Sequence, residues 1–299
     1  MTTPLGASGR RAVPAVRRPA VVLTAALALA GCAPGSHRAV PPVTVPPATV
    51  APVTVAPVTV PPGSATHGPF PVYDNMSFRA KPDTAGAGLL GANIVYSADL
   101  WPAGSDPAAL PDRTTVQAAV SARLTRPGPL VLDVEDLPLA GPTAVINAHL
   151  GILETVLAWA RAVAVGRTVG YYGYHTLSGV APAGLAAARQ LAARVDAFYP
   201  SMYTFDDDEA AWAARATAEV AEDRSLAPGK PVYLYLWPQY HDHTARQYQY
   251  LDAARWSFEL RTARTLADGV VIWGPSRFAW DPSSGWWAAT TSFIAGQKG

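Results

Sequence analysis

Asp133-Val134-Glu135 sets two carboxylates two residues apart at the end of an apolar run, Leu130-Val131-Leu132. In a β-strand, side chains at i and i+2 point to the same side, about 6.6 Å apart along the strand. Asp133 and Glu135 therefore share one face, and Val134 takes the other. Two carboxylates this close resist double ionisation, so one holds its proton near neutral pH and the pair supplies a general acid. A carboxylate nucleophile and a distant general base both require carboxylates that flank the reacting bond. Two groups on one strand approach from one side. That geometry better fits a substrate that supplies its own nucleophile, a 2-acetamido carbonyl oxygen. Glu135 would protonate the leaving oxygen, and Asp133 would orient the acetamido group. A lone D-x-E also fits a solvated loop start, so its surroundings must decide.

The surroundings are aromatic. Tyr73, Tyr96, Tyr171, Tyr172, Tyr174, Tyr203, Trp237 and Trp273 all fall near the ends of other β-rich runs. Aromatic faces stack on the apolar faces of sugar rings, so the set reads as a carbohydrate-binding rim. The same rings could instead close the mouth of the fold, with each OH and N–H finding a partner. His241-Asp242-His243 and Asp206-Asp207-Asp208-Glu209 have poor metal spacing. The first reads as a solvated loop and the second as the charged start of a helix. No cofactor and no metal is expected.

The elements that must hold these residues alternate. Strands are predicted at Pro71–Asp74, Asn93–Tyr96, Leu130–Val134, Val169–Tyr172, Ala197–Met202, Val232–Leu236 and Val270–Trp273. Helices are predicted at Thr114–Leu124, Pro142–Val165, Pro182–Val195, Glu209–Asp223 and Ala245–Leu266. Apolar strands alternating with helices indicate a parallel sheet covered by helices. The expected fold class is α/β, a distorted (β/α) TIM-like barrel of seven strands. In such barrels the chemistry sits at the C-terminal ends of the strands. No G-x-G-x-x-G and no P-loop is present, which removes support for a dinucleotide or nucleotide-triphosphate fold.

Three segments divide the 299 residues. In 1–32, Arg10, Arg11, Arg17 and Arg18 precede the apolar run Ala20–Ala30. That run is too short to span a bilayer and reads as an export signal. It ends in Leu29-Ala30-Gly31-Cys32, which resembles a bacterial lipobox; the resemblance implies lipid attachment at Cys32, the only Cys in the chain. Residues 33–67 form a linker. The stretch 40–62 repeats A-P-V-T-V and holds eight of the 29 Pro. Proline bars it from helix and sheet interiors, leaving an extended, disordered spacer on the order of 100 Å long. Residues 68–299 form the folded domain. Five of the 23 basic residues lie before it and all 22 acidic ones within it, so the domain has net charge −4 although the chain has +1. That balance gives no case for nucleic-acid binding. The expected location is extracytoplasmic, lipid-anchored to a bacterial cell membrane.

FPVYDNMSF (70–78), IVYSADLWP (94–102), LVLDVEDLP (130–138), VGYYGYHTL (169–177), DAFYPSMY (196–203), PVYLYLWPQY (231–240) and GVVIWGPS (269–276) resemble, in order, the strands of the hyaluronidase family of glycoside hydrolases. The resemblance implies a distorted seven-stranded barrel and acetamido-assisted retaining hydrolysis. Carried over by position, it implies Glu135 as proton donor and Asp133 as the acetamido-orienting residue. It also implies that Tyr203 bonds the acetamido group, and that Tyr172 or a neighbour in Tyr171–Tyr174, with Trp273, shapes the sugar subsite. Animal members carry disulfides, which this domain lacks, and an acidic residue directly after the second-strand Tyr, where this chain has Ser97. The expected partner is a polysaccharide containing N-acetylhexosamine. The acidic domain fits poorly with polyanionic hyaluronan, so peptidoglycan or a capsule is also considered. Alternatives are a peptidoglycan muramidase of a lysozyme-type barrel and a non-catalytic carbohydrate-binding lipoprotein.

Overall fold

The computed structural model describes residues 70–173 and 182–297. The 1–32 leader with Cys32, the 33–67 linker and Tyr174 lie outside the described residues.

Among the described residues seven strands are assigned: β1 (Val72–Met76), β2 (Leu90–Gly91), β3 (Asn93–Tyr96), β4 (Leu130–Asp133), β5 (Val169–Tyr171), β6 (Tyr233–Leu236) and β7 (Gly269–Gly274). They form two sheets, ordered β2-β1-β7-β6 and β3-β4-β5, and every strand pairing is parallel. The expected strand at Ala197–Met202 is not assigned as one. Instead, parallel bridges join Tyr199 to Tyr172, and Phe198 and Ser201 to Val232 and Tyr235. Pro200 sits in the middle of that segment and has no N–H to donate, so the ladder breaks there. The added strand, β2, runs directly into β3. Its residues pair with β1, the amide of Ala92 donates to the Asp74 carbonyl (3.1 Å), and β3 then pairs with β4.

The strands bury both faces, so their apolar runs are nearly continuous. Alternate positions nevertheless enter different cores. Leu130, Leu132 and Val134, with Leu234, Leu236, Val270 and Ile272, pack in an outer core with helix residues such as Val156 and Leu260. Val131, Tyr199, Tyr235 and Val271 pack in an inner core with Ile94, Tyr203 and Trp237. At Gly170 an added Cβ would stand 2.8 Å from the Tyr199 ring and 2.3 Å from the Ala197 carbonyl. Only glycine leaves room there for Tyr199 to fill the interior.

Seven α-helices accompany the strands among the described residues: α1 (Ser97–Leu100), α2 (Arg113–Arg123), α3 (Thr143–Val163), α4 (Pro182–Arg194), α5 (Glu209–Leu226), α6 (Ala253–Leu266) and α7 (Gly285–Ala295). Asp112, Asp208 and Asp252 cap α2, α5 and α6, each accepting a backbone N–H two or three residues into the helix. Such caps satisfy donors that the helix leaves free and complement its dipole. The expected helix at Ala245–Leu266 begins only at Ala253. The residues before it form turns, with His243 and Tyr248 at φ 62° and 63°, and Asp252 supplies the cap. Helix α7 was not predicted from the sequence. It is apolar nearly all round, so it lacks the one-sided pattern of a surface helix. Trp286 on α7 is fully buried against Trp256, whose Nε1–H donates to Thr290 (2.8 Å).

Candidate active site

Asp133 ends β4 with its side chain on the inner side, and the alternation continues past the strand. Val134 enters the outer core, while Asp133 and Glu135 line a cavity of about 240 Å³ at the C-terminal ends of the strands. Asp133 is half-buried and Glu135 is exposed. Burial, then the negative charge of Glu135 and a hydrogen bond with it, pushes Asp133 up to about 8. The other charge acting on it, Asp136, is also acidic. The pair therefore holds a proton at neutral pH.

Four predicted aromatics wall the same cavity: Tyr172, Tyr203, Trp237 and Trp273. The Tyr203 ring lies 5.8 Å from Trp273 and 5.6 Å edge-on from Trp237, and the two indoles meet at 5.0 Å. Tyr172 bonds Ser201 and Tyr203, and burial pushes it up to about 12. Burial also raises Tyr203 well above the usual phenol range. Both hydroxyls therefore stay protonated and able to donate beside the carboxylates. Tyr96 borders the site, with the Trp273 Nε1–H donating to its hydroxyl (3.3 Å).

Two predicted rim residues lie elsewhere. Tyr171 faces the opposite side of β5. It is fully buried in the outer core, and its hydroxyl donates to the Leu153 carbonyl of α3 (2.7 Å). Of two adjacent strand residues only one can face inward, and that one is Tyr172. Tyr73 does face the interior, but one layer lower, where it packs edge-on against Tyr233 (5.5 Å) and does not line the cavity.

Ile94, Tyr235, His241, Asp242 and Arg277 also line the cavity, and the sequence reading placed none of them in the site. His241 stacks on Tyr203 at 5.5 Å with 27° between planes, and its Nδ1 is 2.5 Å from Asp242, so it is not a solvated loop residue. Its parity was available in the sequence. Tyr233, Tyr235, Trp237, Gln239 and His241 continue one two-residue alternation off β6, and Gln239 is itself buried, accepting from Trp237 Nε1 (2.9 Å). Arg277 lies over the Tyr248 ring at 4.2 Å. Nothing in the local sequence signals it, because its place depends on the turn at Tyr248.

The loop that carries Tyr203 is braced from behind. Arg215 donates to the Tyr203 carbonyl (2.6 Å), the His241 amide donates to the Thr204 carbonyl (2.8 Å), and the Thr204 hydroxyl donates to Glu259 (2.5 Å). Glu259 is fully buried on α6 beside Arg255 at 3.0 Å, and burial pushes it up to about 7.

A larger cavity, about 600 Å³, lies beside Asp74 in the loop between β1 and β2. Its cations are already engaged: Lys81 and Arg126 reach the Asp74 carboxylate at 2.5 and 3.4 Å. It lacks the paired acids of the first cavity.

No family model matches the chain, and no curated protein matches it by sequence. Among solved structures, the chain is similar to bee venom hyaluronidase in a monoclinic crystal form: 19% identity over 76% of this chain and 96% of that one, TM-score 0.55. The same enzyme in complex with a hyaluronic acid tetramer matches equally, with 95% of that chain covered. A GH128 endo-β-1,3-glucanase from Amycolatopsis mediterranei in complex with laminaritriose is 14% identical over 76% of this chain and 99% of that one. Its TM-score of 0.45 is too low to define a shared fold. The likeness to the bee venom enzyme shows a shared α/β fold, built here on parallel strands.

Proposed function

We propose that the domain is a retaining glycoside hydrolase acting on a polysaccharide that contains N-acetylhexosamine, with the substrate's acetamido group as nucleophile. The observation that carries the reading is the Asp133–Glu135 pair, two hydrogen-bonded carboxyls on one strand end in an aromatic cavity, with Asp133 pushed up to about 8. In the free site Asp133 holds the proton of the pair. An acetamido N–H arriving at Asp133 favours its ionised form and passes the proton across the hydrogen bond to Glu135, the outer carboxyl. Glu135 delivers that proton to the glycosidic oxygen as the bond to the anomeric carbon breaks. The acetamido carbonyl oxygen then closes on that carbon. Water adds to the cyclic intermediate from the vacated side, giving its proton back to Glu135. Tyr203 and Tyr172 donate hydrogen bonds to the reacting group, and Trp237 and Trp273 offer faces for the sugar.

Other parts of the reading rest on sequence. A seven-stranded barrel that includes the bridged segment 197–202, export through 1–32, a lipid on Cys32 and a 33–67 spacer would set a hydrolase in the cell envelope.

The test is reducing-end release from hyaluronan, chondroitin, chitin oligosaccharides and peptidoglycan. Wild-type release that is lost in Glu135→Gln supports the assignment, and unchanged release removes Glu135 from the acid role. A thiazoline mimic of the cyclic intermediate should inhibit; a carboxylate-nucleophile muramidase would be insensitive to it. A folded wild type that releases nothing from the whole panel would favour a binding module.

A further inference from the structure

The wall that carries Tyr203 continues past the cavity. Tyr203 lines the cavity, and the side chain of Thr204 turns away from it to the buried Glu259 (2.5 Å). Thr204 is bridged in parallel to Tyr240, so the backbone here is strand-like. Phe205 therefore returns to the side of Tyr203, about 6.6 Å further along. The ring contacts agree. His241 lies 5.5 Å from Tyr203 and 4.8 Å from Phe205, with 27° and 38° between planes. Phe205 is 46% exposed and is the only exposed aromatic side chain among the described residues. Arg215 lies over its ring at 5.2 Å, so one face is covered and the exposure falls on the other. The backbone that presents the ring is tied on both sides. Arg215 donates to the Tyr203 carbonyl (2.6 Å), the His241 amide to the Thr204 carbonyl (2.8 Å) and Arg255 to the Asp207 carbonyl (3.2 Å). The Asp207 carboxylate in turn holds Arg246 (2.6 Å) and the Tyr240 hydroxyl.

We propose that Phe205 is the platform of an outer sugar subsite, on which a unit of the polysaccharide beyond the reacting sugar lays its C–H face. The inference rests on the carbohydrate reading of the cavity. A single exposed apolar ring is ordinary on a protein surface; the position of this one is what selects a sugar. It extends an aromatic wall, Trp273, Tyr203, His241 and Phe205, outward from the carboxylate pair, each ring in contact with the next. A wall of successive rings suits a chain of successive sugars. The exposed Asp206, Asp207 and Asp208 follow Phe205 directly. They leave no wide apolar patch for a protein and repel an anionic bilayer, whereas carboxylates accept hydrogen bonds from sugar hydroxyls. Because the backbone is already fixed, the ring loses little freedom when a sugar stacks on it. The site so extended holds a stretch of polymer and not one sugar.

The test measures binding by the full chain, with Glu135→Gln present throughout to stop turnover. The probes are chitin hexasaccharide, hyaluronan and chondroitin oligosaccharides, and solubilised peptidoglycan strands, each titrated by calorimetry. Phe205→Leu keeps an apolar side chain but offers no ring face, and Phe205→Trp keeps the face. For the probe that binds, Phe205→Leu should raise Kd about tenfold, and Phe205→Trp should stay within about twofold of the parent. Reducing-end release by the wild type is followed in parallel. Weakening by Leu and retention by Trp support the platform even where the wild type releases nothing; the hydrolase reading alone then fails, and the platform serves a binding module. Unchanged binding by Phe205→Leu overturns the platform and leaves the hydrolase reading standing if release is seen. Equal weakening by Leu and Trp makes the ring a structural part of the loop and also overturns it. Binding of none of the four probes removes the sugar ligand and the proposal with it.

Discussion

Asp74 and Asp133 are the same residue type on two strands, Asp74 in the middle of β1 and Asp133 at the end of β4, and the fold uses them in opposite ways. On β1, Val72 and Met76 enter the outer core, and Asp74 lies between them on the same side. There it is 4% exposed and holds Lys81 (2.5 Å), the Thr84 hydroxyl (2.6 Å) and Arg126 (3.4 Å). On β4, Asp133 lies on the inner side, and its nearest charge is another acid. One aspartate ties two loops to its strand; the other keeps a proton in a cavity. A shift of one residue along the strand, not residue type, separates a structural clamp from a reactive group.

The largest expected effect tests the reactive member of this comparison. Glu135→Gln should lower the hydrolysis rate about a thousandfold, on the order of 4 kcal/mol in the barrier, with thermal stability unchanged. Loss of stability in step with activity would place Glu135 in the scaffold. Next comes the clamp. Asp74→Ala leaves Lys81, whose side chain is 10% exposed, without its carboxylate. It should cost about 3 kcal/mol in urea unfolding while the folded fraction keeps its activity. A large rate loss at unchanged stability would make Asp74 part of the site.

The third expectation concerns pH. The folded state holds a proton on Asp133 up to about 8, against a reference value of 3.8. The stabilisation linked to this group is full below the unfolded value and is lost as pH rises through the folded one. Asp133→Asn should therefore match the wild type in Tm near pH 4 and exceed it near pH 9. Wild-type activity should fall as pH rises through about 8, because the pair then loses its shared proton. A Tm difference that does not change with pH would contradict the proton assignment. The smallest effect is at Tyr171, whose hydroxyl donates to Leu153. Tyr171→Phe should cost about 1 kcal/mol in stability with kcat/KM unchanged. Tyr172→Phe should do the reverse, and equal kinetic effects at both positions would break the parity rule used for Asp74 and Asp133.

Much of the site was legible because a strand's alternation is local. The spacing of Asp133 and Glu135 put both on one face; the same two-residue step runs through Tyr235, Trp237 and His241, of which Trp237 alone was read as part of the site. The rim list failed at Tyr171 because a residue's nearness to a strand end does not say which way it faces. Tyr73 failed for a different reason: depth within the interior depends on how far each strand rises against its neighbours, here Tyr73 beside Val271 and Leu90. Helix α7 escaped because its exposed positions include Ala288 and Ala295, so little of a polar face marks it in sequence.

The amino-acid sequence by itself determined the alternation of apolar strands and capped helices, the carboxylate pair and the segregation of an acidic domain from a basic leader. These follow from local sterics, spacing and composition. The tertiary structure decided which acid is neutralised and which keeps a proton, because Lys81 and Arg126 reach Asp74 through loops that only the folded chain brings together. It also placed His241 against Tyr203 and Arg277 at the cavity. Charge and burial at a point in space depend on residues far apart in the chain, and no local pattern encodes that sum.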